Sequence, residues 1–171
     1  GKWIARGPSN QAGSIKATLH DPEDDKIFYI SAGGSLFKTS LNGLSTIIVN
    51  QDLQFNDDFL SSVELNGQRR LLAKIGHEPH YSDDSGKTWT RSSGIQIADN
   101  TFGRTDIEAS TDGSVILALS KPDFWADYAL YRSIDKGVSF QKVEYLLSSD
   151  EKDVELYMPV NSNEMFLAEK N

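Results

Sequence analysis

Ser82-Asp83-Asp84-Ser85-Gly86-Lys87-Thr88-Trp89 and Ser133-Ile134-Asp135-Lys136-Gly137-Val138-Ser139-Phe140 are two copies of one pattern, 51 residues apart. Each sets a Ser, an Asp, a Gly, a hydroxyl and an aromatic ring at the same spacing. A degenerate copy, Thr39-Ser40-Leu41-Asn42-Gly43-Leu44-Ser45, stands 43 residues before the first and lacks the Asp. The chemistry of the pattern is that of a tight turn. An Asp side chain there accepts hydrogen bonds from backbone N–H groups further along the turn. The Gly supplies a positive φ where a Cβ would clash, the hydroxyls tie the two strands, and the ring covers the motif. Ser82, Asp84, Gly86, Thr88 and Trp89, with Ser133, Asp135, Gly137, Ser139 and Phe140, are therefore assigned structural roles, as staples of two hairpins.

The segments between the copies are strands. Lys26–Ser31, Arg70–Ile75, Ser114–Ser120 and Glu164–Ala168 are short, rich in β-branched or aromatic residues, and bounded by turn formers. None keeps a helical period, so the chain reads as all-β. A repeat of this length is one four-stranded sheet, the blade of a β-propeller, with the stapled turn between its third and fourth strands. Residues 1–171 are then a partial propeller: blade one over 14–50, blade two over 60–91, blade three over 105–143, and the start of blade four over 153–168. One further period beyond Ser133 passes Asn171, so the expectation is an incomplete ring of about three and a half blades. The remaining blades would come from a longer chain or from a second one, and the bare apolar faces would otherwise associate.

Both good copies resemble the Asp-box, or BNR, repeat of sialidases, sortilin-type receptors, xyloglucanases and the photosystem II assembly factor. Gly7-Pro8-Ser9-Asn10, Gly13, Asp21-Pro22 and Ala32-Gly33-Gly34-Ser35-Leu36-Phe37-Lys38-Thr39 also resemble the first blade of secreted bacterial members. Those members carry Gly-Arg where this chain has Gly13-Ser14, and an Asp where it has Leu41. The resemblance implies a secreted or cell-surface location and a ligand face formed by the loops opposite the boxes. For activity it implies little, because enzymes, receptors and assembly factors share the fold.

Composition removes several functions. The net charge of −8 disfavours nucleic acid and anionic membranes as partners. Cysteine is absent, so disulfides and thiolate chemistry are excluded. No apolar run reaches the length of a membrane-spanning helix. His77-Glu78-Pro79-His80 is no helical zinc motif, because Pro79 forbids the helix. No metal, cofactor or catalytic residue is assigned.

Three features could take a ligand. From the start of the second strand to the box, blade three needs 19 residues (114 to 133), against 13 (26 to 39) and 12 (70 to 82). The extra length contains Phe124, Trp125 and Tyr128, which either stack on a glycan or protein ligand or fold down as a cap. Arg104 follows Gly103 before the first strand of blade three and could hold a carboxylate in the axial cavity, or pair with Asp106 or Glu108. Lys16, Glu64, Glu108 and Glu155 recur between apolar neighbours on the inner strands and are expected to line the channel, with the three carboxylates able to surround a cation. A sialidase resembling the family would need converging arginines, and Arg6-Gly7-Pro8 departs from its Arg-Ile-Pro motif. The expectation is a non-catalytic binding, adhesion or scaffold segment. The alternative is the N-terminal part of a propeller glycoside hydrolase with catalytic residues partly downstream.

Overall fold

The computed structural model describes residues 14–21, 24–95, 104–110, 112–121, 126–143, 153–159 and 164–170. Every regular element among them is a β-strand. The first sheet comprises β1 (Ile15–Asp21), β2 (Lys26–Ser31), β3 (Leu36–Ser40) and β4 (Thr46–Asn50). The second comprises β5 (Phe55–Leu65), β6 (Gln68–Ile75), β7 (Glu78–Ser82) and β8 (Thr90–Arg91), and the third β9 (Arg104–Ala109), β10 (Ile116–Lys121), β11 (Ala129–Ser133) and β12 (Gln141–Val143). A hairpin of β13 (Asp153–Tyr157) and β14 (Phe166–Lys170) follows. In each of the three four-stranded sheets, spatial order is chain order and every pairing is antiparallel. No helix among the described residues is long and apolar enough to cross a membrane, which leaves strand-built spans unaddressed.

Period-2 alternation explains how the sheets stack. In β6, Leu71 and Ala73 turn toward the first sheet and pack with Phe28, Ile30 and Leu36. Leu72, between them, turns the other way and packs with Ile107, Ile116, Ala118 and Tyr131 of the third. In β10 the same switch occurs: Ile116 and Ala118 face back, while Leu119 packs with Leu130, Val154 and Leu156 against the terminal hairpin. A middle strand buried on both faces has no solvent side. That is why β6 is buried over Arg70–Lys74, a run that alternation toward water would have broken with polar residues. Fully burying one such Leu is worth about 1.5–3 kcal/mol, so the three inter-sheet cores hold the stack. The first strands β1, β5, β9 and β13 lie side by side in sequence order.

Several expected boundaries move. The second sheet opens at Phe55 instead of Leu60, with an irregularity between the two. Phe55 is fixed early because its N–H donates to Gly34 O at 2.9 Å and its ring meets Trp89 edge-on. β8 and β12 are short and begin only at Thr90 and Gln141, because the stapled turns hold the preceding residues. The degenerate copy around Thr39 is also a different turn. In both good copies a non-Gly residue and the Gly stand consecutively at positive φ, Ser85 (61°) with Gly86 (88°) and Lys136 (60°) with Gly137 (86°). In the first sheet Gly43 (69°) stands alone.

Candidate functional site

The two stapled turns match atom for atom. Ser82 Oγ donates to Asp84 Oδ1 (2.8 Å) and accepts from Gly86 N (2.9 Å). Asp84 then accepts Thr88 N (2.8 Å) and Thr88 Oγ1 (2.6 Å). In the third sheet Ser133 Oγ donates to Asp135 Oδ1 (2.8 Å), Gly137 N donates to Ser133 Oγ (3.0 Å), and Ser139 N and Oγ donate to Asp135 (2.9 and 2.5 Å). Burial raises the pKa of each carboxyl, yet the bonds from Thr88 and Ser82, or Ser139 and Ser133, outweigh it and hold both below the ordinary value. Trp89 closes its turn with Nε1 on Gly86 O at 2.8 Å.

Each turn also grips the sheet before it. Asn50 Nδ2 donates to Lys87 O (3.1 Å), and Ser92 Oγ donates to Gly137 O (2.5 Å). Ser93 bonds Val138 O and accepts from Phe140 N (3.0 and 2.9 Å). Arg70, buried and stacked on Tyr81, makes a bidentate pair with Asp83 (2.6 and 2.7 Å) and reaches Lys136 O (3.3 Å). The motif read as a hairpin staple is thus also the joint between sheets.

A second turn type went unread in the sequence. Ser110 Oγ donates to Asp112 Oδ1 (2.8 Å), Ser114 N donates to the same atom (2.9 Å), and Val115 N donates to Ser110 Oγ (3.0 Å). Ser40, Asn42, Leu44 and Ser45 repeat this arrangement at 2.8, 3.0 and 3.1 Å. So Asn42, and not the Leu41 position, carries the turn in the first sheet. The shared signal was Ser-x-[Asp/Asn]-Gly, with Gly three residues after Ser where the boxes have it four after. Ser114 N, Ser110 Oγ and Ser114 Oγ together lower the Asp112 carboxyl to about 2.

The expected ligand residues divide. Lys16, Glu64 and Glu155 are exposed and Glu108 is half-buried; the three glutamates lie between more buried neighbours, whereas Lys16 follows the exposed Ile15. Glu64, Glu108 and Glu155 do not form a cation site: among the described residues no three acidic or His side chains converge on one point. Burial, and then the neighbouring Asp106, raise the Glu108 carboxyl from its ordinary value. Asp106 itself accepts Leu156 N at 3.1 Å. Arg104 opens β9 opposite Lys121, and its side chain lies outside the described residues. Phe124 and Trp125 lie outside them too. Tyr128 packs half-buried on Leu119, Leu130, Val154 and Leu156, with Lys121 Nζ 5.0 Å from its ring centre, which is a capping position.

No family model and no curated protein matches this sequence. Among solved structures the chain is similar to the GH74 xyloglucanase from Xanthomonas campestris, with TM-score 0.54 and 16% identity over 75% of this chain and 21% of that one. It is also similar to a protein of unknown function from Dyadobacter fermentans, with TM-score 0.44 and 14% identity over 90% of this chain and 47% of the other, a likeness too slight to argue from. The chain thus spans about a fifth of the xyloglucanase's length, and the likeness is one of fold. What it supports is an all-β chain of successive antiparallel sheets.

Proposed function

We propose that the sheets are consecutive blades of an Asp-box β-propeller and that the chain is a non-catalytic binding or scaffold segment of a secreted or cell-surface protein. Its ligand would be a glycan or a protein, met by the loops opposite the stapled turns. The observation that carries this reading is the double use of the boxes, which lock each hairpin and bond it to the preceding sheet. A stack held that way is a rigid platform, and rigid platforms present loops at low ordering cost. The connection between β10 and β11 offers Phe124 and Trp125 for this purpose. Further blades would cover the outer face of the terminal hairpin, where Tyr157 and Phe166 form an exposed cross-strand pair.

Titration of the protein with xyloglucan oligosaccharides and other glycans, read by tryptophan fluorescence, tests it. A saturable change that Trp125→Phe abolishes and Trp89→Phe keeps supports the loop as the binding element. Saturable binding untouched by Trp125→Phe overturns that assignment. A second reading, the part of a propeller glycoside hydrolase, draws on Glu108, a carboxyl biased toward its protonated form. Release of reducing ends from xyloglucan, lost in Glu108→Gln, would replace the binding reading with that one.

A further inference from the structure

Asn precedes Gly twice in this chain, at Asn42-Gly43 and Asn66-Gly67, and each pair follows a Leu. Gly has no side chain to shield its nitrogen or restrict its backbone, so in such a pair the Gly nitrogen can reach the Asn carboxamide carbon. The structure holds the two pairs in opposite ways. Asn42 Oδ1 accepts from Ser40 Oγ at 2.8 Å and from Leu44 N at 3.0 Å, and Gly43 N donates to Ser40 O at 2.8 Å. Carboxamide and attacking nitrogen are both tied. Asp112-Gly113 is tied in the same way, with Gly113 N on Ser110 O at 2.8 Å and Asp112 Oδ1 accepting from Ser110 Oγ and Ser114 N.

Asn66-Gly67 is bare. It is the two-residue connection of β5 and β6, between the paired Leu65 and Gln68. Both residues are exposed, and among the described residues nothing bonds the Asn66 carboxamide or the Gly67 N–H. Positive φ at both, 53° and 77°, is the signature of a type I′ turn. Rotation of the central peptide converts type I′ to type II′ while the flanking strands stay paired, and it carries ψ of Asn66 to about −120°. That is the backbone setting a five-membered ring through Asn66 Cγ and Gly67 N requires. In the Asn42 turn the same rotation would first have to break the bond from Gly43 N to Ser40 O.

We propose that Asn66-Gly67 is a site of spontaneous deamidation and isoaspartate formation, selected over Asn42-Gly43 by the fold. Gly67 N gives its proton to water and attacks Asn66 Cγ. A C–N bond forms, and the carboxamide nitrogen leaves as ammonia. Water then opens the succinimide at either carbonyl: breaking the Cγ–N bond gives aspartate, and breaking the backbone C–N bond gives isoaspartate. One water is consumed and one ammonia released, with no oxidation or reduction. Either product adds one negative charge to the chain's −8. Isoaspartate also lengthens the main chain by one carbon, in a turn whose length sets the register of β5 on β6.

Trypsin, cutting after Lys38 and Arg69, releases both pairs in one peptide, Thr39–Arg69. The folded chain is held at mildly alkaline pH, and electron-transfer fragmentation of this peptide then locates each conversion and separates isoaspartate from aspartate. Asn66 should convert at least about tenfold faster than Asn42, where three hydrogen bonds must give way. In urea that unfolds the chain, both become bare Leu-Asn-Gly segments and their rates should become alike. Ser40→Ala removes one donor to Asn42 Oδ1 and should speed conversion at Asn42 while leaving Asn66 unchanged. Equal rates in the folded chain, faster conversion at Asn42, or a preference for Asn66 that persists in urea would each overturn the proposal. So would an Asn66 that stays intact in the folded chain while the unfolded chain converts.

Discussion

Asp84 and Asp135 each accept bonds from the same set of donors, a Ser hydroxyl, a backbone N–H and a second hydroxyl. Removing either carboxylate strands those donors, so Asp84→Ala and Asp135→Ala should each lower unfolding free energy in urea by about 1–2 kcal/mol. In the first sheet the equivalent loss belongs to Asn42→Ala, while Leu41→Ala, at an exposed site, should leave stability nearly unchanged. Acid should act through the same groups. Asp84, Asp112 and Asp135 all have folded pKa values below the ordinary 3.8, Asp112 at about 2. Their contribution is therefore complete above about pH 4 and is lost as pH falls through the folded values. The thermal midpoint should drop across that window, and Asp112→Asn should flatten part of the slope. Glu108 has the opposite sign: its folded pKa is raised above 4.5, so its term weakens stability as pH rises past that value. The two stapled turns were readable in the sequence because their chemistry is local. The Ser110–Asp112 turn was not separated from ordinary loop, since Ser, Asp and Gly together are the common vocabulary of all turns.

At the level of elements, the glycines of the stapled turns serve packing as much as backbone. A Cβ on Gly86 would lie 2.8 Å from Leu36 Cδ2 of the first sheet, and one on Gly137 2.7 Å from Leu72 Cδ2 of the second. One on Gly43 would meet nothing within 4 Å. All three have positive φ, so each Ala substitution carries backbone strain, but only Gly86→Ala and Gly137→Ala also separate two sheets. Calorimetry should find both well below Gly43→Ala in melting temperature. The strand order follows from the repeat alone, whereas the reach of one sheet's residues into the next sheet's turn does not. Arg70 read as a polar residue near a strand start, yet it is buried because Asp83, 13 positions away, and Lys136, 66 positions away, converge on it. Such pairings depend on how sheets stack, which no local pattern encodes. The inner-strand carboxylates form no cation cluster among the described residues. Alternation set Glu64, Glu108 and Glu155 apart from their more buried neighbours, but it carries no information on whether side chains of successive sheets converge on one point.

For the molecule as a whole, three inter-sheet cores in series make the interior buried on both sides of β6 and β10 while the outer face of β13–β14 stays open. Leu72→Ala, inside the second of these junctions, should cost about 2–5 kcal/mol in chemical denaturation. Phe166→Lys, at a 49% exposed ring, should leave that free energy unchanged and reduce binding of a hydrophobic dye. The bonds that hold the stapled turns share a direction. Asn50, Arg70, Ser92 and Ser93 all precede the turn residues they grip, at Lys87, Lys136, Gly137 and Val138. A ribosome releases a chain from its N-terminus, so whenever a stapled turn emerges, the sheet that must hold it has already been made. Synthesis can then set each stapled turn, like a course of brick, against a sheet already laid.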